Sequence, residues 1–377
     1  MTATYLDCNA TTPLEPAVRE TLLHFLTEEF GNEGSRTHEF GARAKQAVQR
    51  ARDQIAAVVG AKREEVIFTS GATESNNLAL LGLREFGHTS NRKHVITTAI
   101  EHKAVLEPCQ ALERDGFEVT YLPVPADGYV TAEVVKAALR PDTLLVSIMQ
   151  ANNETGVRQP LDEIASALGD HPAFFHTDAA QGFGKDLATL RNQRVDLISV
   201  SGHKIFAPKG IGILITRRRG YDRPPLRPLV YGGGQERGLR PGTLPVALIV
   251  ALGAAAEIAA RDNQARIARC NEIRTAAVAA LAPLAPRYSG DQARVMPHVM
   301  NVAFSGMDSE ALIVGIKDLV AVSNGSACTS SSYTPSHVLM AMGMTEDAAN
   351  ACVRISWSHL TEDVDWSAVA ERIQSLG

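Results

Sequence analysis

Between about residues 16 and 216 the sequence alternates short apolar runs with segments of helical pattern, and this alternation restricts the fold more than any other feature. The runs are rich in β-branched residues and are apolar at successive positions. Strands that helices cover on both faces have this pattern, because both sides of such a sheet are buried. The predicted strands are 66–69, 94–97, 143–147, 173–176, 197–200 and 211–216. We therefore predict an α/β fold with a mostly parallel central sheet and helices on both faces.

The pattern changes after the glycine-rich segment 232–238, which predicts a second, smaller domain. One long helix is predicted before this point, at 37–59, and another is expected to begin near Thr243 and Pro245, with Thr243 as its cap. The N-terminal dozen residues are expected to pack against the smaller domain. We predict two domains, a large one of residues 16–257 and a smaller α+β one of residues 1–15 and 258–377.

Charge and hydropathy argue against several functional classes. The 377 residues carry a formal net charge of −5 and lack the basic face that direct nucleic-acid binding needs. No run of about 18 apolar residues is present, so no membrane-spanning helix is predicted. The N-terminal residues lack the pattern of a signal peptide, and we expect a cytoplasmic protein. The five cysteines are odd in number and widely spaced, so neither a disulfide framework nor a metal site is expected.

Polar residues follow the predicted strands, at the edge of a parallel sheet where ligands bind. They are the segment 70–77, His102, Asn152, Asn153, Asp178, Gln181, Ser201, His203 and Lys204. Taken singly, each has an ordinary alternative: a helix cap, a surface histidine, a turn, a capping aspartate or a surface lysine. Taken in order, they supply a phosphate cradle, a ring to stack on a pyridine, a carboxylate and a Schiff-base lysine. A pyridoxal phosphate enzyme needs these parts.

The ordered set resembles the motifs of cysteine desulfurases in the fold-type I, class-V aminotransferase group of pyridoxal phosphate enzymes. Within that group it is most similar to the desulfurases of bacterial DNA phosphorothioation systems, chiefly through residues 31–41. The resemblance covers nearly the whole chain. It rests on residues 5–13, 31–41, 71–77, 101–102, 152–154, 178–181, 201–204, 240–243, 325–328 and 353–356.

The resemblance implies a role for each residue around the cofactor. Lys204 would hold pyridoxal 5'-phosphate as a Schiff base and move the Cα proton. Asp178 would pair with the pyridinium nitrogen, Gln181 would contact the phenolic oxygen, and His102 would stack on the ring. The implied phosphate-binding residues are Ala72, Thr73, Ser201, His203 and, from the other subunit of a homodimer, Thr243. Asn153 would contact both cofactor and substrate, and Arg354 would hold the carboxylate of L-cysteine.

Cys328 is the implied nucleophile, which would take the substrate sulfur as a persulfide. From composition alone a cysteine is more often a buried apolar residue, but Cys328 lies among Gly, Ser, Thr and Asn in a segment typical of an exposed loop. The other cysteines are predicted to be structural: Cys8, Cys109, Cys270 and Cys352. No metal is implied.

The sulfur acceptor implied by the resemblance is an iron–sulfur protein, through which sulfur would reach DNA. Three departures from desulfurases that serve iron–sulfur scaffolds argue against the usual partnership with such a scaffold, namely 33–34, 356–359 and the end of the sequence at Gly377. The alternatives are a housekeeping desulfurase for iron–sulfur clusters or tRNA thiolation, a selenocysteine lyase, an aminotransferase, and a scaffold protein without activity. The scaffold is disfavoured because Lys204, Asp178 and Cys328 are all present.

Overall fold

The computed structural model describes residues 3–325 and 335–376. Its strands, in chain order, are β1 Thr4–Tyr5, β2 Val66–Thr69, β3 His94–Thr98, β4 Glu118–Leu122, β5 Thr143–Ser147, β6 Phe174–Asp178, β7 Leu197–Ser201, β8 Gly212–Thr216, β9 Arg287–Tyr288, β10 Val299–Ala303, β11 Val320–Ala321 and β12 Cys352–Ser356. Its helices are α1 Pro16–Thr27, α2 Glu39–Val59, α3 Ala72–Leu81, α4 Arg84–Thr89, α5 Lys103–Arg114, α6 Ala132–Ala138, α7 Leu161–Leu168, α8 Val246–Arg261, α9 Asn263–Leu281, α10 Ser309–Ile316, α11 His337–Ala341, α12 Glu346–Asn350 and α13 Trp366–Gln374.

The largest sheet has seven strands in the order β2-β8-β7-β6-β5-β3-β4 among the described residues. β4, β3, β5, β6 and β7 pair in parallel, and β8 pairs antiparallel with both β7 and β2. The predicted α/β class, with a mostly parallel central sheet, is confirmed.

Apolar side chains on both faces of the strands explain this arrangement. In β8, Ile213 and Ile215 join the core cluster on one side of the sheet, whereas Leu214 joins the cluster on the other. In β2, Val66 and Phe68 likewise face one cluster, and Ile67 faces the other. Successive side chains of a strand point to opposite faces, so a strand that is apolar throughout needs helices on both sides.

Three details differ from the prediction. β4 was not predicted, because it lies at the edge of the sheet and its half-exposed residues are mixed in polarity. The first long helix begins at Glu39, where the His38 ring accepts the Gly41 N–H at 3.2 Å. The helix expected from Thr243 begins at Val246, and no side chain caps it. Thr243 is exposed and lies before the N-cap residue Pro245, so its prediction as the cap of this helix is wrong.

A second core lies around a three-stranded antiparallel sheet, β12-β10-β9. Leu6, next to β1, packs in this core with Trp357 and Trp366, and β1 pairs with β11. The expected packing of the N-terminal residues against this region is thus confirmed. The division into domains 16–257 and 1–15 plus 258–377 stays a prediction. In the described ranges, no helix has both the length and the apolarity to cross a membrane.

Candidate active site

The segments that follow four parallel strands meet at one cavity of about 520 Å³. Ten of the twelve residues predicted for the site line it: Ala72, Thr73, His102, Asn153, Asp178, Gln181, Ser201, His203, Lys204 and Arg354. Thr243 is exposed and lies outside the cavity of its own chain. Cys328 falls outside the described residues.

Asp178, the last residue of β6, is buried in the cavity wall. One carboxylate oxygen accepts the Asn76 side-chain N–H at 2.7 Å, and the other accepts the Ala180 backbone N–H at 2.9 Å. The two bonds fix the direction of the carboxylate. Asn76 is on α3, and sequence reasoning assigned it no role.

Lys204 ends a short 3₁₀ turn, Gly202–Lys204, that follows β7. Its Nζ donates to the carbonyl oxygens of Asn9 and of Ala10, the latter at 2.8 Å. Asn9 also accepts the Gln181 side-chain N–H at 3.0 Å and donates to the Asn153 carbonyl at 3.1 Å. The N-terminal segment therefore holds three predicted site residues in place, a contact that no local pattern could reveal.

The N-terminus of α3 faces the same cavity. Gly71 occupies the N-cap position without a side-chain cap, so the first backbone N–H groups of the helix can serve an anion. Thr73, Ser201 and His203 line the cavity with it. Burial, together with the charges of nearby lysines, lowers the pKa of His203 to about 4. A neutral His203 can offer a hydrogen bond to phosphate without a proton change near neutral pH.

His102 both caps a helix and lines the cavity. Its Nδ1 accepts the Ala104 N–H at 3.1 Å at the start of α5. Burial lowers the pKa of His102, with Asp178 opposing and Lys204 and His337 reinforcing the shift. A neutral imidazole whose Nδ1 accepts a hydrogen bond carries its proton on Nε2. The capping alternative is thus correct for this residue, which also lines the cavity, and its role at the cofactor stays a prediction.

Glu101, just before His102, is fully buried. One oxygen of its carboxyl group accepts from the Thr98 hydroxyl and the Met149 N–H, both at 2.9 Å. Burial raises the pKa of Glu101 to about 8. Glu101 is therefore mostly protonated at neutral pH, a property that its place in the sequence did not indicate.

Arg354, in the middle of β12, also lines the cavity. Its guanidinium donates to the Asp7 carboxylate at 2.6 Å and to the Ser323 hydroxyl at 2.9 Å. It also donates to the carbonyls of Asn153 at 3.1 Å and Gly325 at 3.4 Å. These partners fix a buried cation at the cavity, where a planar guanidinium suits a carboxylate.

The cavity fits pyridoxal 5'-phosphate on the chemistry of its own residues. It offers helix N–H groups and hydroxyls for a phosphate, a carboxylate for a protonated ring nitrogen, and an amine for an aldehyde. Within the described part of the chain, the buried Gln181 Oε1 at this cavity also lacks a hydrogen-bond partner. An unpaired buried acceptor is costly, so a bound group that donates to it is expected.

A family model described as aminotransferase class-V matches residues 4–366. The chain belongs to the class-V aminotransferase family. It is 45% identical over 378 residues to the cysteine desulfurase IscS of Rickettsia bellii, a match that covers 99% of this chain and 91% of the relative.

Two solved structures resemble this class-V aminotransferase family member closely. DndA from Streptomyces lividans is 49% identical with a TM-score of 0.83, covering 94% of this chain and 99% of that one. SspA, solved in complex with cysteine, is 36% identical with a TM-score of 0.82, covering 96% of this chain and 100% of that one. Taken with the family match and the curated relatives, the chain is a pyridoxal-phosphate-dependent cysteine desulfurase.

Four cysteines of this desulfurase fall within the described residues: Cys8, Cys109, Cys270 and Cys352. All four are buried, and burial raises the pKa of each thiol, to about 11 for Cys270. Burial thus disfavours the nucleophilic thiolate at these positions. The prediction that they are structural agrees with this burial. In the described ranges no cluster of His, Cys, Asp and Glu is suited to a metal ion.

Proposed function

We propose that this desulfurase converts L-cysteine to L-alanine and leaves the sulfur on Cys328 as a persulfide. The observation that carries the proposal is the pairing, across one cavity, of Lys204 and Asp178 on the large sheet with Arg354 on the small one. The same cavity thus offers a cofactor side and a cation for the substrate carboxylate. The cysteine bound to the similar protein SspA supports the choice of substrate.

Each cavity residue has a task in this reaction. Pyridoxal phosphate, when bound, supplies an electron sink for the negative charge that develops at the substrate Cα. Asp178, held by Asn76 and Ala180, would accept the hydrogen bond of the ring N–H and keep that nitrogen protonated. Lys204 would hold the cofactor covalently and then carry the proton that leaves Cα. His102 would stack on the ring and transfer a proton through Nε2.

Two further sets of residues hold the phosphate and the substrate. Ala72, Thr73, Ser201 and His203, at or near the start of α3, would hold the phosphate, and Thr243 of a second subunit would complete this site in a homodimer. Gln181 would contact the phenolic oxygen. Asn153 and Arg354 bind the cysteine carboxylate, and Arg354 is pre-oriented by Asp7.

The sulfur transfer needs no external oxidant, because its atoms and electrons balance as follows. The Cys328 thiolate attacks the substrate sulfur, an S–S bond forms, and the C–S bond breaks. The electron pair of the broken bond goes to the substrate Cβ, which takes a proton to become the methyl group of alanine. L-cysteine and the Cys328 thiol thus give L-alanine and a Cys328 persulfide.

Alanine release from L-cysteine in the presence of a reductant tests this proposal. We expect the native protein to release alanine, and Cys328→Ala to be slower by at least about 100-fold because it lacks the nucleophile. Cys270→Ala is the matched control and should retain activity. If Cys328→Ala released alanine at the native rate, sulfur would leave without this thiol and a lyase reaction would replace the proposal.

For the sulfur acceptor, we propose an iron–sulfur protein that passes the sulfur to DNA in the cytoplasm. Similarity to DndA at 49% identity supports this route. The second candidate is a housekeeping role in iron–sulfur clusters or tRNA thiolation, which similarity to IscS at 45% identity favours equally. In the host, Cys328→Ala should remove phosphorothioate nucleosides from digested DNA under the first role. Loss of thiolated tRNA nucleosides with unchanged DNA would support the second.

A further inference from the structure

Described residues on both sides of the Cys328 segment lie beside one buried carboxyl group, that of Glu154. Residues 326–334 are outside the described ranges, but Gly325 precedes them and Ser336 follows them closely. The Ser336 hydroxyl donates to the Glu154 carboxylate. The ideal position of a Cβ on Gly325 lies 3.3 Å from both Cγ and Oε2 of Glu154. Glu154 is therefore hydrogen-bonded to Ser336 on one side of the segment and lies next to Gly325 on the other.

Glu154 is itself fixed to the large sheet. It belongs to the turn that follows β5, in which the Asn152 side-chain oxygen accepts the Glu154 N–H at 2.8 Å and the Thr155 N–H at 3.0 Å. Its side chain is buried, with 3% of the residue exposed. Burial raises the pKa of Glu154, and the Ser336 hydroxyl, His337 and Arg354 oppose the shift.

The two contacts at Glu154 are built differently. On the return side, Ser336 donates to Glu154 while its oxygen accepts the Leu339 N–H at 3.1 Å, which caps α11. On the outgoing side, Gly325 has a φ of +84°, and its carbonyl accepts from Arg354 at 3.4 Å. A larger residue would be strained at this φ and would crowd the carboxyl group.

We propose that Glu154 is a positioning residue for sulfur transfer, which clamps both ends of the Cys328 segment beside the substrate-binding arginine. This inference rests on the proposed function of Cys328. Gly325 precedes Cys328 by three residues in the sequence. Arg354 donates hydrogen bonds to the carbonyls of both Gly325 and Asn153. The start of the Cys328 segment is therefore held by the same residue that is proposed to bind the substrate carboxylate. Loss of alignment by about 1 Å can cost a factor of about 100 in rate.

The test compares Glu154→Ala with Glu154→Gln in the holoenzyme. Glutamine keeps a side-chain oxygen that can accept from Ser336, whereas alanine removes the contact. Persulfide on Cys328 is measured by mass spectrometry in a single turnover. We expect Glu154→Ala to be slower by at least about tenfold and Glu154→Gln to stay within about threefold of native. The cofactor absorbance change on adding L-cysteine, which reports substrate binding, should keep its native midpoint in both.

A second readout does not depend on catalysis. Alkylation of Cys328 by iodoacetamide, followed by peptide mass spectrometry, should be at least about threefold faster in Glu154→Ala because Glu154 no longer holds Ser336 and Gly325, and unchanged in Glu154→Gln. The buried Cys109 serves as an internal control, and Glu163→Ala, on the exposed side of α7, as the matched variant. Ser336→Ala removes the donor of the same Ser336–Glu154 hydrogen bond. The double variant should be no slower than the slower single one, since both remove one interaction.

If Glu154→Ala formed the persulfide and was alkylated at Cys328 at the native rates, the proposed role of Glu154 would be wrong. Equal losses of persulfide formation in the alanine and glutamine variants would also contradict the proposal. Loss of the absorbance response would do so too, because either result would show a general structural role. If Cys328→Ala still released alanine, the proposed function would fail instead. The alkylation comparison would still test the clamp in that case.

Discussion

The two sheets contribute to the active site in different ways. Four neighbouring parallel strands of the large sheet end at one edge, and the segments after them place His102, Asn153, Asp178 and Lys204 on the cavity. Among the described residues, the small antiparallel sheet places only Arg354 there, from within β12. On the large sheet the strand topology brings the residues to one edge, where Asn9 and Asn76 then hold several of them in place. On the small sheet, a side chain reaches the cavity because several partners hold it.

This difference separates chemistry from substrate binding. Among the large-sheet residues, His102, Asp178 and Lys204 are proposed to face the cofactor, so changes to these three should lower the rate of reaction. Arg354 is held by Asp7 and faces the proposed substrate carboxylate, so changes there should weaken cysteine binding. The predictions below test this separation, from the largest expected effect to the smallest.

Lys204→Ala should lower alanine release by about 1,000-fold or more, because the amine both holds the cofactor and moves a proton. The visible absorbance of the purified protein should change as well, since the covalent link is lost. Lys136→Ala, an exposed change on α6, is the control and should act like the native protein. Comparable activity in both variants would show that Lys204 takes no part in the reaction.

Asp178→Asn should lower kcat by about 100-fold, or about 2.7 kcal/mol, because a neutral amide no longer favours a protonated ring nitrogen. Asn76→Ala should cost less, about tenfold, since Asn76 only orients the carboxylate through its 2.7 Å hydrogen bond. Steady-state kinetics with L-cysteine measures both. The ranking fails if Asn76→Ala is the slower enzyme.

Arg354→Lys should raise KM for L-cysteine by about tenfold and leave kcat within about threefold, because lysine keeps the charge but loses the planar fork. Arg287→Lys, at an exposed position of the same sheet, is the control. An effect on kcat alone would contradict the separation between the two sheets.

Glu101→Gln should change stability with pH. The pKa of Glu101 is about 8 in the folded protein, above its usual value, so the folded state keeps a proton that the unfolded state has lost. Native stability therefore falls as pH rises from about 4.5 to 8, by up to roughly 1.4 kcal/mol per pH unit from this group. Glutamine removes this loss, so its advantage in thermal unfolding should grow between about pH 5 and pH 8. Equal melting temperatures across this range would contradict the buried neutral carboxyl.

Much of the fold could be predicted from the sequence because the central strands are apolar on both faces. Edge strand β4 was missed because its residues are partly exposed and mixed in polarity. The site residues could be predicted because they follow strands or carry family motifs. Asn76 was missed as a partner of Asp178, as was the contact of Asn9 with Lys204, since each joins residues far apart in the chain.

The sequence by itself determined the α/β class, the cofactor side of the cavity and the choice of Cys328 as the candidate nucleophile. These follow from local periodicity and from the residue types that such chemistry requires. Only the tertiary structure decided that Asp7 holds Arg354, that Glu101 is a buried neutral acid, and that Glu154 touches both Gly325 and Ser336. Burial and long-range contacts set these properties, because desolvation and hydrogen bonding depend on which distant segments the fold brings together.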